Sequence, residues 1–146
     1  MNYYIVDCHF SHKNILHFDQ RPFENVEQME EIMCASWNQT VNEEDTVYIL
    51  GDFCWGKADE WLKITKKLAG KKILVEGNHN LKQYPLELRA AFVDIKPYLE
   101  VLIMEMIMSA GKSSYAIVRF LFTSIQDFLS TICYVGMFTT LLKMII

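Results

Sequence analysis

A chain of 146 residues with 51% apolar content is the size of one domain and carries enough hydrophobic material for a core, so general disorder is excluded. A formal net charge of -4 with no Lys/Arg cluster argues against wrapping nucleic acid through phosphate contacts. An acidic protein that acts on phosphate esters would need a metal to supply the positive charge.

The first predicted element is a short buried strand, YYIV at residues 3–6, which ends abruptly in the polar loop DCHFSHKN. A helix follows from residue 26 to about 41, because Val26, Met29, Met33 and Trp37 fall on one face at spacings of three and four. Asn25 with Gln28 three residues on has the form of a capping box at its start. TVYIL at residues 46–50 is a second buried strand and runs into GDFCWG. A second helix over about 57–69 turns Trp61, Ile64 and Leu68 inward and stops at Gly70, a good residue just past a helix end. KKILVE is the third strand and leads directly into GNHN.

Composition changes near Val101. Residues 1–100 carry 27 charged side chains, whereas residues 101–146 carry five and hold five of the eight methionines. The chain is therefore divided into an α/β part, 1–100, and an apolar tail, 101–146, expected to be helical or disordered. The four cysteines have no C-x-x-C spacing, and MNYYIVDCHF lacks a basic segment and reaches Asp7 early, so a reduced, cytoplasmic setting is expected.

Three strands that each end in a polar loop carry functional meaning, since ligands of open α/β sheets bind at the carboxyl ends of the strands. Asp7 and His9, Asp52, and Asn78 with His79 are expected along that edge, a set of oxygen and imidazole donors suited to Mn, Fe or Zn. In an extended segment Asp7 and His9 would point the same way and grip one ion. D-x-H alone is weak evidence, because such pairs also cap loop backbone, and a Gly-Asp at a strand end is a common turn. GNHN is more specific: Gly77 permits a tight turn and close approach, Asn78 offers a carbonyl oxygen, and His79 can give or take a proton. His12 and His17 lie in the first loop, where solvation is the plainer reading, with His12 also a candidate for touching substrate. GKSS at residues 111–114 lacks the earlier glycine of a phosphate-binding loop and is set aside.

The motifs D-x-H, G-D and G-N-H, in this order from Asp7 to His79, resemble those of the calcineurin-like metallophosphoesterases, and HKNILHFDQRPFENVEQME and DTVYILGDF are similar to a bacterial branch of that family. The resemblance implies a β-sandwich flanked by helices, of which this would be the N-terminal half. It further implies two divalent ions, with Asp7 and His9 on the first, Asp52 bridging both and Asn78 on the second. His79 would donate a proton or orient the scissile phosphate, and Asn80 departs from the acidic residue usual after G-N-H. The expected partner is a phosphate-ester small molecule or nucleotide, without stable nucleic-acid or membrane binding; the oligomeric state stays open.

The resemblance also implies a later histidine closely followed by proline, and a G-H-x-H, yet residues 101–146 contain no histidine. Reading that tail one base upstream restores both. Met137 followed by Phe138 forces Val, its neighbours permit G-H-V-H, and residues 114–119 permit L-C-H-C-P. A single-base frameshift near residues 101–104 is therefore expected, leaving the metal shell incomplete and activity impaired. Two rival readings remain: a non-catalytic metal- or nucleotide-binding assembly protein, and a membrane-tethered one. The longest uncharged run, residues 128–142, is short of the roughly twenty residues a bilayer requires.

Overall fold

The computed structural model describes residues 1–97 and, beyond them, the strands within 99–109, 112–122 and 143–144. Its centre is a parallel sheet of β1 (Asn2–Val6), β2 (Thr46–Gly51), β3 (Lys71–Glu76) and β4 (Asp94–Lys96), in the order β4-β3-β2-β1, with the two-residue β7 (Lys143–Met144) beside β1. Tyr3 pairs with Val47 and Ile5 with Ile49, and Ile49 pairs in turn with Leu74. The side-chain period of two therefore sets these five residues on one buried face. Tyr4 and Tyr48 stack on the opposite face at a ring separation of 5.0 Å, and both are only half-buried.

Helices cover the first face. In α2 (Val26–Thr40) the expected stripe holds, with Val26, Met29 and Trp37 buried. Asn25 accepts from the Gln28 N–H at 2.8 Å, but the Gln28 side chain accepts from Glu24 at 2.7 Å, so the reciprocal cap reaches one residue further out than expected. In α3 (Ala58–Lys67), Asp59 and Glu60 open the helix and Lys66 and Lys67 close it, each sign facing the favourable end of the helix dipole. Trp61 and Ile64, with Leu68 at the cap, enter the core as predicted. The chain turns through Gly70 at a φ of 79°, two residues past the cap. Buried Lys72 donates to the carbonyls of Leu68 and Gly70 at 2.6 and 2.7 Å, which satisfies the helix end from beneath. Burial lowers the pKa of that ammonium. The short helices α1 (Ile15–Phe18) and α4 (Leu86–Arg89) each bury one apolar residue, Ile15 and Leu88.

The tail departs from expectation. Residues 99–109 and 112–122 are two strands, β5 (Leu99–Ser109) and β6 (Lys112–Phe122), paired antiparallel from Leu99↔Phe122 to Ser109↔Lys112. The helical or disordered tail is corrected to a hairpin over this stretch, and β5 starts two residues before the compositional break. The physical reason is that apolar richness does not choose between helix and strand, while the Ile, Val, Tyr and Phe content of these runs favours the pleated form. Residues 112–114 of GKSS lie in β6 and form no loop there. The uncharged run 128–142 and the G-H-V-H alignment at 135–139 lie outside the described residues. Among the described residues no helix is long and apolar enough to cross a membrane. Cys8, Cys34 and Cys54 are buried free thiols.

Candidate metal centre

The centre is built where β1 and β2 run out but their ladder does not. Past the strand ends, Asp7 N–H donates to Leu50 O, His9 N–H to Asp52 O and Phe10 N–H to Phe53 O, each at 3.0 Å, and Trp55 N–H returns to Phe10 O at 2.7 Å. The two loops are thus laced together backbone to backbone. Asp7, His9 and Asp52 each present a ligand atom within 4.8 Å of the others.

The route to this cluster differs from the expected one. Asp7, His9 and Ser11 are not extended; all three are left-handed, with φ of 46°, 52° and 60°. The alternation of an extended strand therefore does not bring Asp7 and His9 together; an alternating left-handed backbone does. Each such residue costs about 1–3 kcal/mol, and backbone strain of this kind persists where surrounding contacts enforce it, commonly at functional sites.

Asp52 is the hub. Its carboxylate is buried and accepts the His79 N–H at 3.0 Å, while its own N–H donates to Asp7 Oδ1 at 3.0 Å. Burial raises the Asp7 pKa from its ordinary value; the bond from Asp52 N–H and the nearby His9 pull the other way. Two carboxylates and an imidazole drawn together offer a donor set that suits a hard or borderline divalent ion. Gly77 makes the close approach possible, since a Cβ there would lie 2.2 Å from Asp52 Oδ1.

The third loop reaches the same edge. Asn78 and His79 are both exposed in the turn after Gly77; the His79 backbone is bonded to Asp52, and its ring lies 5.3 Å from that of Trp55. The His79 side chain is not one of the three clustered groups. His17 is exposed as expected but lies in helix α1 and not in a loop, and His12 is buried, which corrects the solvated reading. Its ring stands 4.3 Å from Trp55 and 5.6 Å from His9, and its Nδ1 is buried without a hydrogen-bond partner. Burial, then the neighbouring His9, lowers its pKa.

No family model matches the chain. It is similar to an uncharacterized protein of Methanocaldococcus jannaschii, 39% identical over 80 residues, a match covering 53% of this chain and 46% of that protein. It also resembles a crystal structure of a protein of unknown function from Aquifex aeolicus, with a TM-score of 0.56 and 34% identity over 79% of this chain and 58% of that one. The chain thus spans about half the length of the first and under two thirds of the second. These likenesses carry a shared fold and no activity.

Two residues outside the expected ligand set hold the centre in shape. Asn80 donates from Nδ2 to Gly51 O at 3.0 Å and accepts the Phe53 N–H at 3.3 Å, tying the third loop to the second. A carboxylate here could not donate to Gly51 O, so the amide is what allows both bonds. Arg21 reaches back from the start of the α2 approach to donate to Asp7 O at 3.1 Å and Cys8 O at 3.0 Å. No periodicity marks Arg21 in the sequence; only the crowding of unsatisfied carbonyls in a left-handed loop calls for it.

Charge-assisted bonds to a carbonyl contribute about 1.5–3 kcal/mol, the same scale as the strain they oppose. Arg21→Ala is therefore expected to lower the stability by about 2 kcal/mol and to weaken metal binding about tenfold. Thermal melts and calorimetric metal titration check both, with Arg21→Lys recovering only part because it cannot reach two carbonyls with one planar fork.

Proposed function

We propose that residues 1–100 carry the N-terminal metal ligands of a calcineurin-like metallophosphoesterase, a metal-dependent hydrolase of phosphomonoesters or phosphodiesters. The supporting observation is the juxtaposition of Asp7, His9 and Asp52 from the loops after β1 and β2, with Asp52 bonded to the loop after β3. In this reading Asp7 and His9 would hold one divalent ion, Asp52 would serve both that ion and a second, and Asn78 would serve the second. Mn, Fe and Zn all suit the donors. The ions, when bound, supply Lewis acidity at the phosphoryl group. His79, exposed in the turn beside the cluster, protonates the leaving oxygen or orients the phosphate.

Residues 80–146 contain no histidine, so in this reading these residues supply part of the shell and would turn over slowly on their own. The proposed cause is a frameshift near residues 101–104; the coding DNA there tests it, and an early stop in the upstream frame ends the idea. For the function itself, calorimetric titration with Zn²⁺ or Mn²⁺ is expected to show saturable binding, with slow metal-dependent hydrolysis of bis(p-nitrophenyl) phosphate. Absence of metal binding overturns the reading, and fast hydrolysis overturns the claim that the shell is incomplete.

A further inference from the structure

One feature beside the cluster belongs to no metal-ligand set. Of the three tryptophans, Trp37 and Trp61 are 1% and 0% exposed and serve the core, whereas Trp55 is 42% exposed. It sits on the rim of the centre, between the His12 ring at 4.3 Å and the His79 ring at 5.3 Å. Phe18, 69% exposed, stands 6.3 Å from the same His12. The rings of His9, His12, Trp55 and His79 therefore form a continuous wall that leads from a metal ligand to the outer turn.

The wall is fixed in place. Trp55 is anchored through its backbone N–H to Phe10 O at 2.7 Å, within the laced loops that also position Asp52. An indole and a phenyl ring held out in water lose the stabilisation that burial would give them, about 25 cal/mol per Å² of apolar surface. A structural role does not require that exposure, and both belong to the same stretch of surface beside the cluster.

We propose that Trp55 and Phe18, with His12 buried between them, form an aromatic platform beside the Asp7–His9–Asp52 cluster that stacks against the planar ring of a nucleoside or aryl phosphate. This deepens the phosphoesterase reading, and rests on it for the phosphate alone. The ring moiety lies along the wall, and the phosphate faces the cluster. Stacking on an aromatic side chain is sequence-tolerant and contributes about 1–3 kcal/mol per ring, so the platform selects planar groups over sugars without reading one base.

The test uses the full chain, first without metal. Adenosine is expected to quench the tryptophan fluorescence saturably, since Trp55 is the one exposed indole, whereas ribose has no effect. Calorimetry with Trp55→Ala should show adenosine affinity about tenfold weaker, and Trp55→Phe, which keeps a ring, should recover most of it; far-UV circular dichroism confirms that both variants fold. With Zn²⁺ present, adenosine 5′-monophosphate should bind more tightly than adenosine, and phenyl phosphate in its place separates a simple aryl ester from a nucleoside one. If adenosine binds but the added phosphate gains nothing, the platform stands and the phosphoesterase reading falls. If ribose 5-phosphate binds as well as adenosine 5′-monophosphate and adenosine does not quench, the platform is overturned while the phosphate site remains. Unchanged adenosine affinity in Trp55→Ala also overturns it.

Discussion

Gly77→Ala is expected to abolish metal binding and to lower the melting temperature of the metal-free protein. Its backbone does not require glycine through a left-handed φ; the requirement is space. An added Cβ would lie 2.2 Å from Asp52 Oδ1, 2.7 Å from the Gly51 carbonyl carbon and 2.8 Å from Asp52 N. A flexible side chain could swing away, but two of these three neighbours are backbone atoms of the segment that places Asp52. The turn after β3 must therefore move outward, and the bond from His79 N–H to Asp52, 3.0 Å in the native protein, breaks with it. Overpacking of this kind costs about 1–3 kcal/mol, a modest loss of stability beside a complete loss of the site. The two effects separate in melts recorded with and without Zn²⁺: metal should raise the wild-type midpoint and leave that of Gly77→Ala where it was. A metal-induced shift of equal size in both proteins would show that Gly77 does not gate the centre.

Gly77 is also the clearest case of a site residue readable from the chain. G-N-H after a β-rich run announces a turn with a close approach, and the approach is there. The strands were equally readable, because YYIV, TVYIL and KKILVE are apolar runs bounded by polar loops, and a parallel sheet needs such runs. What stayed hidden was how loops bring residues together. Asp7 and His9 converge through left-handed backbone, which has no one-dimensional pattern when the residues are not glycine. Arg21 and Asn80 act on carbonyls far away in sequence, fourteen residues for Arg21 to Asp7 and twenty-nine for Asn80 to Gly51. Trp55 looked like any aromatic residue until its exposure separated it from the two core tryptophans. In the tail, apolar composition suggested helix, but burial potential says nothing about period, and β5 and β6 are strands.

The second large effect is expected from Asp52→Asn, a substitution that changes charge and almost nothing in shape. Asn keeps a side-chain carbonyl able to accept the His79 N–H, so the loop after β3 has no reason to move. It also keeps the Asp52 backbone N–H on Asp7 Oδ1. Removing one of two neighbouring carboxylates relieves like-charge repulsion; Asp52 is among the influences that raise the Asp7 pKa, behind burial. The metal-free variant should therefore melt at or above the wild-type temperature, while its affinity for Zn²⁺ or Mn²⁺ falls on the order of a hundredfold or more, beyond what loss of an outer contact costs. Stability and metal binding moving in opposite directions is the signature of a ligand kept for function at the expense of folding. A structural Asp52 would instead lose stability and leave metal affinity alone, and that result in paired melts and titrations would remove the metal centre from this fold.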